Sequence, residues 1–160
     1  NMKMALNGAL TIGTLDGANI EILEAVGPGN MFIFGLDAEE IAAVRSNGYD
    51  PRLYLEKNAE LRAVFEMIHS GFFSPEDPQL FHPICRSLLD QGDFYMLLAD
   101  YGSYMEAQEE AGRTYLDREE WARRSIRNTA CMGRFSSDRS VMEYASRIWN
   151  VQMLGSEIRE

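Results

Sequence analysis

Two short apolar runs, separated by one helix-forming stretch and followed by another, restrict this chain more than any other feature. Ala9–Leu15 (Ala-Leu-Thr-Ile-Gly-Thr-Leu) is rich in β-branched residues and reads as a strand. Asp16-Gly17 turns the chain, and Ala18–Ala25 reads as a short helix closed by Gly27-Pro28-Gly29. Met31–Phe34 is a continuous apolar run bounded by Asn30 and Gly35, as in a parallel strand covered on both faces. A second helix follows with a full start signal. Asp37 is the N-cap, Glu40 completes a capping box, Leu36 and Ile41 stand at the staple positions, and Gly48 closes it. Strand–helix–strand–helix over residues 9–48 is the pattern of a doubly wound sheet. Two short strands cannot fill such a sheet, so its other strands are expected from sequence outside these residues.

The segments on either side extend the reading. Residues 1–6 are good helix formers without a start signal, and they read as the last turns of a helix ended by Asn7-Gly8. The chain opens on Asn1 within that segment, which leads to the expectation that it was cut from something longer. From residue 51 onward the pattern is almost wholly helical. Leu61, Val64, Phe65 and Ile68 follow i, i+3, i+4, i+7 spacing. Gly71–Pro75 interrupts, and Pro78 is expected to open a helix carrying Leu80, Phe81, Ile84 and Leu88. Gly92–Asp100 reads as a loop or brief extended piece, and Tyr101–Tyr115 as a helix with Tyr104, Met105, Gln108 and Ala111 on one face. Asp117, with Glu120 as box partner and Leu116 and Trp121 as staple, opens the next helix, which Gly133 ends. Ser136, Ser137 and Asp138 offer caps for a last helix with Val141, Tyr144, Ala145, Ile148 and Trp149 as its apolar stripe. Residues 151–160 lack a pattern and are expected to be a mobile tail.

Charge and composition remove several classes of function. With 25 acidic and 15 basic residues the net charge is −10, a field that repels nucleic-acid backbones. The longest apolar runs fall far short of the roughly 20 residues that span a bilayer, so no membrane partner is expected. Cys85 and Cys131 are too few for a disulfide framework and lack metal-ligand spacing; they read as reduced thiols of a cytoplasmic protein. His69 and His82 lie on different predicted helices, and no metal site is expected of them. Gly8, Gly13 and Gly17 match neither dinucleotide nor P-loop spacing and read as turn and close-packing positions. Arg123, Arg124, Arg127, Arg134 and Arg139 read as a solvated helix face interleaved with acidic neighbours, with an anion patch as the other reading.

Lys3 is different. Only two lysines occur, Lys3 and Lys57, and Lys3 sits between Met2 and Met4 on an apolar helical segment. Those flanks predict a poorly solvated ammonium, a condition that favours the neutral amine able to condense with an aldehyde. A lysine snorkelling from the surface is the other reading.

The run Asn1-Met-Lys-Met-Ala-Leu-Asn-Gly-Ala-Leu-Thr-Ile-Gly-Thr-Leu-Asp-Gly-Ala-Asn19 closely resembles the pyridoxal-phosphate attachment region of the glycogen/starch/maltodextrin (α-glucan) phosphorylases. The resemblance continues through Asn30–Gly35, Ser70–Ser74, Ala99-Asp100-Tyr101, Phe135–Arg139 and Ile148-Trp149, in collinear order. It implies that Lys3 holds pyridoxal 5'-phosphate as a Schiff base. It further implies that the cofactor phosphate relays a proton while inorganic phosphate takes the terminal α-1,4-linked glucosyl unit of a glucan as glucose 1-phosphate. The implied fold is helix-rich α/β, the C-terminal part of the second Rossmann-like domain of a two-domain B-type glycosyltransferase. On that basis residues 1–50 are the end of the lysine helix plus a βαβα portion, and 51–150 the helical portion of the same domain. A first domain of the same protein and a homodimeric parent are also implied. The phosphate-cradling loop, the substrate contacts and the first domain would precede Asn1, so the chain alone is expected to be inactive. A stand-alone non-catalytic binding or interaction domain on the same scaffold is the alternative.

Overall fold

The computed structural model describes residues 1–151. The first helix, α1 (Met2–Leu6), ends at Asn7 and leads into β1 (Ile12–Thr14). The crossover helix α2 (Gly17–Val26) then carries the chain to β2 (Phe32–Phe34). The strands pair in parallel, with Ile12 opposite Phe32, Gly13 opposite Ile33 and Thr14 opposite Phe34. This is the expected βαβ unit. Both strands are shorter than their apolar runs, and Met31 is buried just before β2 begins.

Helix α3 (Ala38–Ser46) starts as its sequence dictates. The Asp37 carboxylate accepts the N–H groups of Glu39 and Glu40, and Glu40 returns a carboxylate oxygen to the Asp37 N–H. Helices α4 (Pro51–Lys57), α5 (Ala59–His69) and α6 (His82–Leu89) follow, with Asp50 and Asn58 as side-chain caps for the first two. The proline that opens α6 is Pro83 rather than Pro78. Residues 74–82 instead form successive tight turns, in which N–H groups at Asp77, Leu80 and His82 bond carbonyls three residues back. Leu80 and Phe81 therefore precede the helix.

Helix α7 (Leu97–Leu116) begins four residues before the expected start. Asp93 causes the difference: its carboxylate accepts the N–H groups of Leu97 and Leu98, satisfying donors that would otherwise lack partners. Helix α8 (Arg118–Cys131) has half of its expected box. Asp117 caps the Glu120 N–H, but Glu120 turns its carboxylate to Arg123 and Arg124 instead of the cap backbone. The expected staple fails as well. Leu116 is 84% exposed, and Tyr115 packs edge-on against Trp121 in its place. Helix α8 stops at Cys131, and Gly133 falls inside a 3-10 turn, Met132–Phe135. Ser136 then caps α9 (Ser137–Tyr144), which loosens into a π-helical turn over Ala145–Trp149. The apolar stripe of this last segment points to solvent, with Trp149 61% exposed. The expectation for the tail after Val151 falls outside the described residues.

Three apolar clusters hold these elements together. Ala5, Ile22, Val26, Met31 and Met132 join α1, α2, the start of β2 and the 3-10 turn. Phe32, Ala107 and Ala111 join β2 to α7, the two alanines letting the helix lie close to the strand. Leu61, Phe65, Cys85 and Leu98 join the helices of the middle segment. Helix α7 thus belongs to both the sheet cluster and the helical cluster and welds residues 51–116 to the strands.

Candidate functional site

Lys3 lies on a helix of only five residues, too short to hold itself by its own hydrogen bonds. Neighbouring elements hold it. Ala5 is fully buried beneath α2 and the 3-10 turn, while Lys3, Met4 and Leu6 face outward. At the start of the helix the Asn1 side-chain oxygen accepts the Met2 N–H at 2.9 Å. At its end the Asn7 amide donates to the Lys3 carbonyl at 2.7 Å. Gly8 turns the chain at φ +87°, a conformation that disfavours other residues. Its carbonyl accepts the Ser125 hydroxyl of α8 at 2.8 Å, so the turn after the lysine helix is tied to the far end of the sequence.

The flanking methionines do not bury the amine. Lys3 is exposed and Met4 is 64% exposed, so the expected poorly solvated ammonium is not what the described residues create. Met2 alone of the pair turns inward, because only it faces the cluster around Ala5. Lys3 lines a cavity of about 440 Å³ with Met2, Leu6, Met132, Phe135, Ser136 and Ser137 among its walls. The sequence marks Ser136 as a cap but does not place residues 132–137 beside Lys3. The 3-10 turn does that, and nothing local in the sequence announces it.

Pyridoxal phosphate, the group the motif implies, requires a primary amine in reach of an aldehyde. Lys3 meets that requirement, since among the described residues its amine engages no carboxylate. Apolar side chains (Met2, Leu6, Met132, Phe135) beside it suit an aromatic ring. The anchoring half of the cofactor site therefore fits.

The other candidates settle into structural roles. Arg123 and Arg124 both bond the Glu120 carboxylate at 2.7 Å. Arg124 is not on a solvated face: its side chain is 13% exposed and its guanidinium lies over the Phe32 ring. Arg127 donates to the Val26 carbonyl, Arg139 pairs with Glu143, and Arg134 lies over Phe135. These cations are committed within the fold rather than gathered for an anion. His69 and His82 do meet, with ring centroids 5.1 Å apart, His82 Nε2 lying 3.3 Å from the His69 carbonyl oxygen. Among the described residues no group of three or more His, Cys, Asp or Glu side chains gathers as metal ligands would. Burial pushes the Cys85 thiol up, which suits a core side chain rather than a nucleophile. No helix among the described residues is long and apolar enough to cross a membrane.

Residues 1–151 match the carbohydrate phosphorylase family. The chain belongs to that family. Similarity to individual phosphorylases is high along the same stretch. A glycogen phosphorylase of Synechocystis sp. is 50% identical over all 160 residues, and one of Haemophilus influenzae is 49% identical over 152 residues, 95% of this chain. The human muscle-form glycogen phosphorylase is 46% identical over 152 residues. The chain spans only 18–19% of the length of these relatives. Within the phosphorylase family, then, these residues account for a helix-rich α/β portion that carries the lysine motif.

Proposed function

We propose that this chain is the cofactor-anchoring portion of a glycogen-type phosphorylase, with Lys3 as the residue that holds pyridoxal phosphate. One observation carries the reading: the match over residues 1–151 begins at a motif whose lysine is exposed, engages no carboxylate among the described residues and stands beside an apolar wall. Bound there, the cofactor would supply the phosphate group that relays a proton between enzyme and substrate. The chain's own residues do the holding. Asn1 and Asn7 fix the backbone on either side of Lys3, Ala5 seats the helix, and Ser125 secures the turn behind it.

On this reading the whole protein is a cytoplasmic homodimer of two-domain B-type subunits. It transfers the terminal α-1,4-glucosyl unit of a glucan to inorganic phosphate, giving glucose 1-phosphate. The 160 residues alone lack activity, because a rate enhancement of this kind rests on held substrates and pre-aimed charges. Among the arginines read as a possible anion patch, Arg123, Arg124 and Arg139 are already paired with carboxylates.

The test uses full-length protein reduced with borohydride, its intact mass and its peptide map. A cofactor adduct on Lys3 is expected, with phosphorolysis of maltoheptaose by the full-length protein and none by the 160-residue chain. An adduct on another residue overturns the assignment.

A further inference from the structure

The motif contains a second polar side chain, and this one is engaged through both its oxygen and its nitrogen. Asn19, on α2, lies between the end of β1 and the start of the lysine helix. Its Nδ2 donates to the Thr14 carbonyl at 2.9 Å, and its Oδ1 accepts from Asn1 Nδ2 at 2.7 Å. Asn1 in turn accepts the Met2 N–H at 2.9 Å. Three hydrogen bonds therefore run in series, all in one donor-to-acceptor sense, from the Met2 N–H through two amides to the strand carbonyl. Such chains polarise one another and have a single low-energy orientation. The residue after Met2 is Lys3.

Gly13 explains why the Asn19 amide can lie so close to the strand. A Cβ at Gly13 would stand 2.6 Å from Asn19 Nδ2 and 3.3 Å from its Cγ. A side chain there must push the amide away from Thr14. The glycine is thus required by close approach, and the object approaching it is Asn19.

We infer that Asn19 is a positioning residue for Lys3, acting through Asn1, and that Gly13 provides the space it needs. This inference rests on the cofactor-anchoring role of Lys3 proposed above. A five-residue helix has little rigidity of its own. The relay references its first turn to the parallel strands, and the Lys3 amine with it.

The test uses the full-length protein loaded with pyridoxal phosphate and four variants: Asn19→Ala, Gly13→Ala, Asn1→Asp and, as a remote control, Tyr49→Phe. Asn1→Asp keeps an acceptor for the Met2 N–H but has no proton to give Asn19, so it breaks the relay and spares the cap. The readout is the rate at which hydroxylamine strips the cofactor, followed by absorbance, alongside the thermal midpoint. Each of the three relay variants is expected to release cofactor about fivefold faster, the equivalent of one neutral hydrogen bond. Asn1→Asp combined with Asn19→Ala should release it no faster than the faster single variant. Tyr49→Phe should lower the midpoint and leave the release rate unchanged. Wild-type release rates in the relay variants, or equal acceleration by Tyr49→Phe, would overturn the inference. Should Asn19→Ala or Gly13→Ala fail to fold, Asn1→Asp at its exposed site still decides. Failure of the anchoring reading looks different: borohydride then leaves wild-type Lys3 unmodified.

Discussion

Tyr49 donates its phenolic hydrogen to Asp93 at 2.7 Å across a separation of 44 residues. The Asp93 carboxylate is buried, and it also accepts the Leu97 and Leu98 N–H groups at 2.9 and 2.8 Å. One side chain therefore caps α7 and ties it to the segment between α3 and α4. The loop that follows is bent to permit this. Asp93 and Met96 both have positive φ, +43° and +56°, and between them Phe94 and Tyr95 are thrust into solvent at 70% and 84% exposure.

Removing the hydroxyl by Tyr49→Phe should cost about 1 kcal/mol, because the carboxylate keeps its two backbone donors. Asp93→Ala should cost about 3 kcal/mol, since it leaves two helix N–H groups and the Tyr49 hydroxyl without a partner. Denaturant titration of the purified protein measures both. Equal losses in the two variants would mean that the backbone donors find other partners.

Burial, and after it the hydrogen bond to Asp93, raises the Tyr49 pKa above the ordinary phenol range. A raised folded-state value means that this contribution to stability is full below the ordinary tyrosine range, fades as pH climbs above that range, and is lost as pH passes the raised value. Tyr49 should therefore stay protonated through the ordinary tyrosine range and ionise at the pH where the fold itself gives way. Tyrosinate absorbance against pH, compared with Tyr49→Phe, reads this directly. An early-ionising phenol missing from the variant would contradict it.

Glu120 has the opposite sign. Hydrogen bonds from Arg123 and then Arg124 hold its carboxyl down to about 2. A lowered folded-state value contributes stability above the ordinary carboxylate range, and that contribution is lost as pH falls through about 2. Carboxyl NMR should find Glu120 still ionised at a pH well below the ordinary carboxylate range. Arg123→Met should return it part of the way to the ordinary range, and Arg124→Met part of the rest. Added salt should weaken the effect, because the pair lies near the surface.

Much of this architecture is legible in the chain, and the reasons for the exceptions are specific. The α3 box works because Asp37 and Glu40 have no competing partner among the described residues, so local geometry decides. The same three-residue spacing at Asp117 and Glu120 fails by half because two arginines one turn on outbid a backbone N–H. The start of α7 was hidden because its cap comes from Asp93, with the turn residue Met96 between them. Lys3 is legible through the motif, yet the residues that hold its helix come from position 19, position 125 and the 3-10 turn. Those partners are brought by tertiary packing, which no window on the sequence contains.

Asn128 shows how far that packing constrains a single polar side chain. It is fully buried on α8, and its Nδ2 donates to the Asn30 carbonyl at 2.8 Å and to the Arg124 carbonyl at 2.9 Å. The first of these bonds reaches the residue just before Met31, so it fixes α8 against the entry to β2. Its Oδ1 has no partner among the described residues, and an orphaned buried acceptor detracts from what the two donated bonds contribute. Asn128→Ala removes both bonds, leaves the Asn30 carbonyl buried without a donor and opens a small cavity, and should cost about 3 kcal/mol. Asn128→Asp should cost more, because it sets a second acceptor against two carbonyl oxygens. Thermal unfolding of the two variants gives the order. If Asp proves milder than Ala, Arg124, whose buried NH1 lacks a hydrogen-bond acceptor among the described residues, has captured the new charge. The ranking of these substitutions therefore reports whether the carbonyls or the guanidinium dominate the field at this buried position.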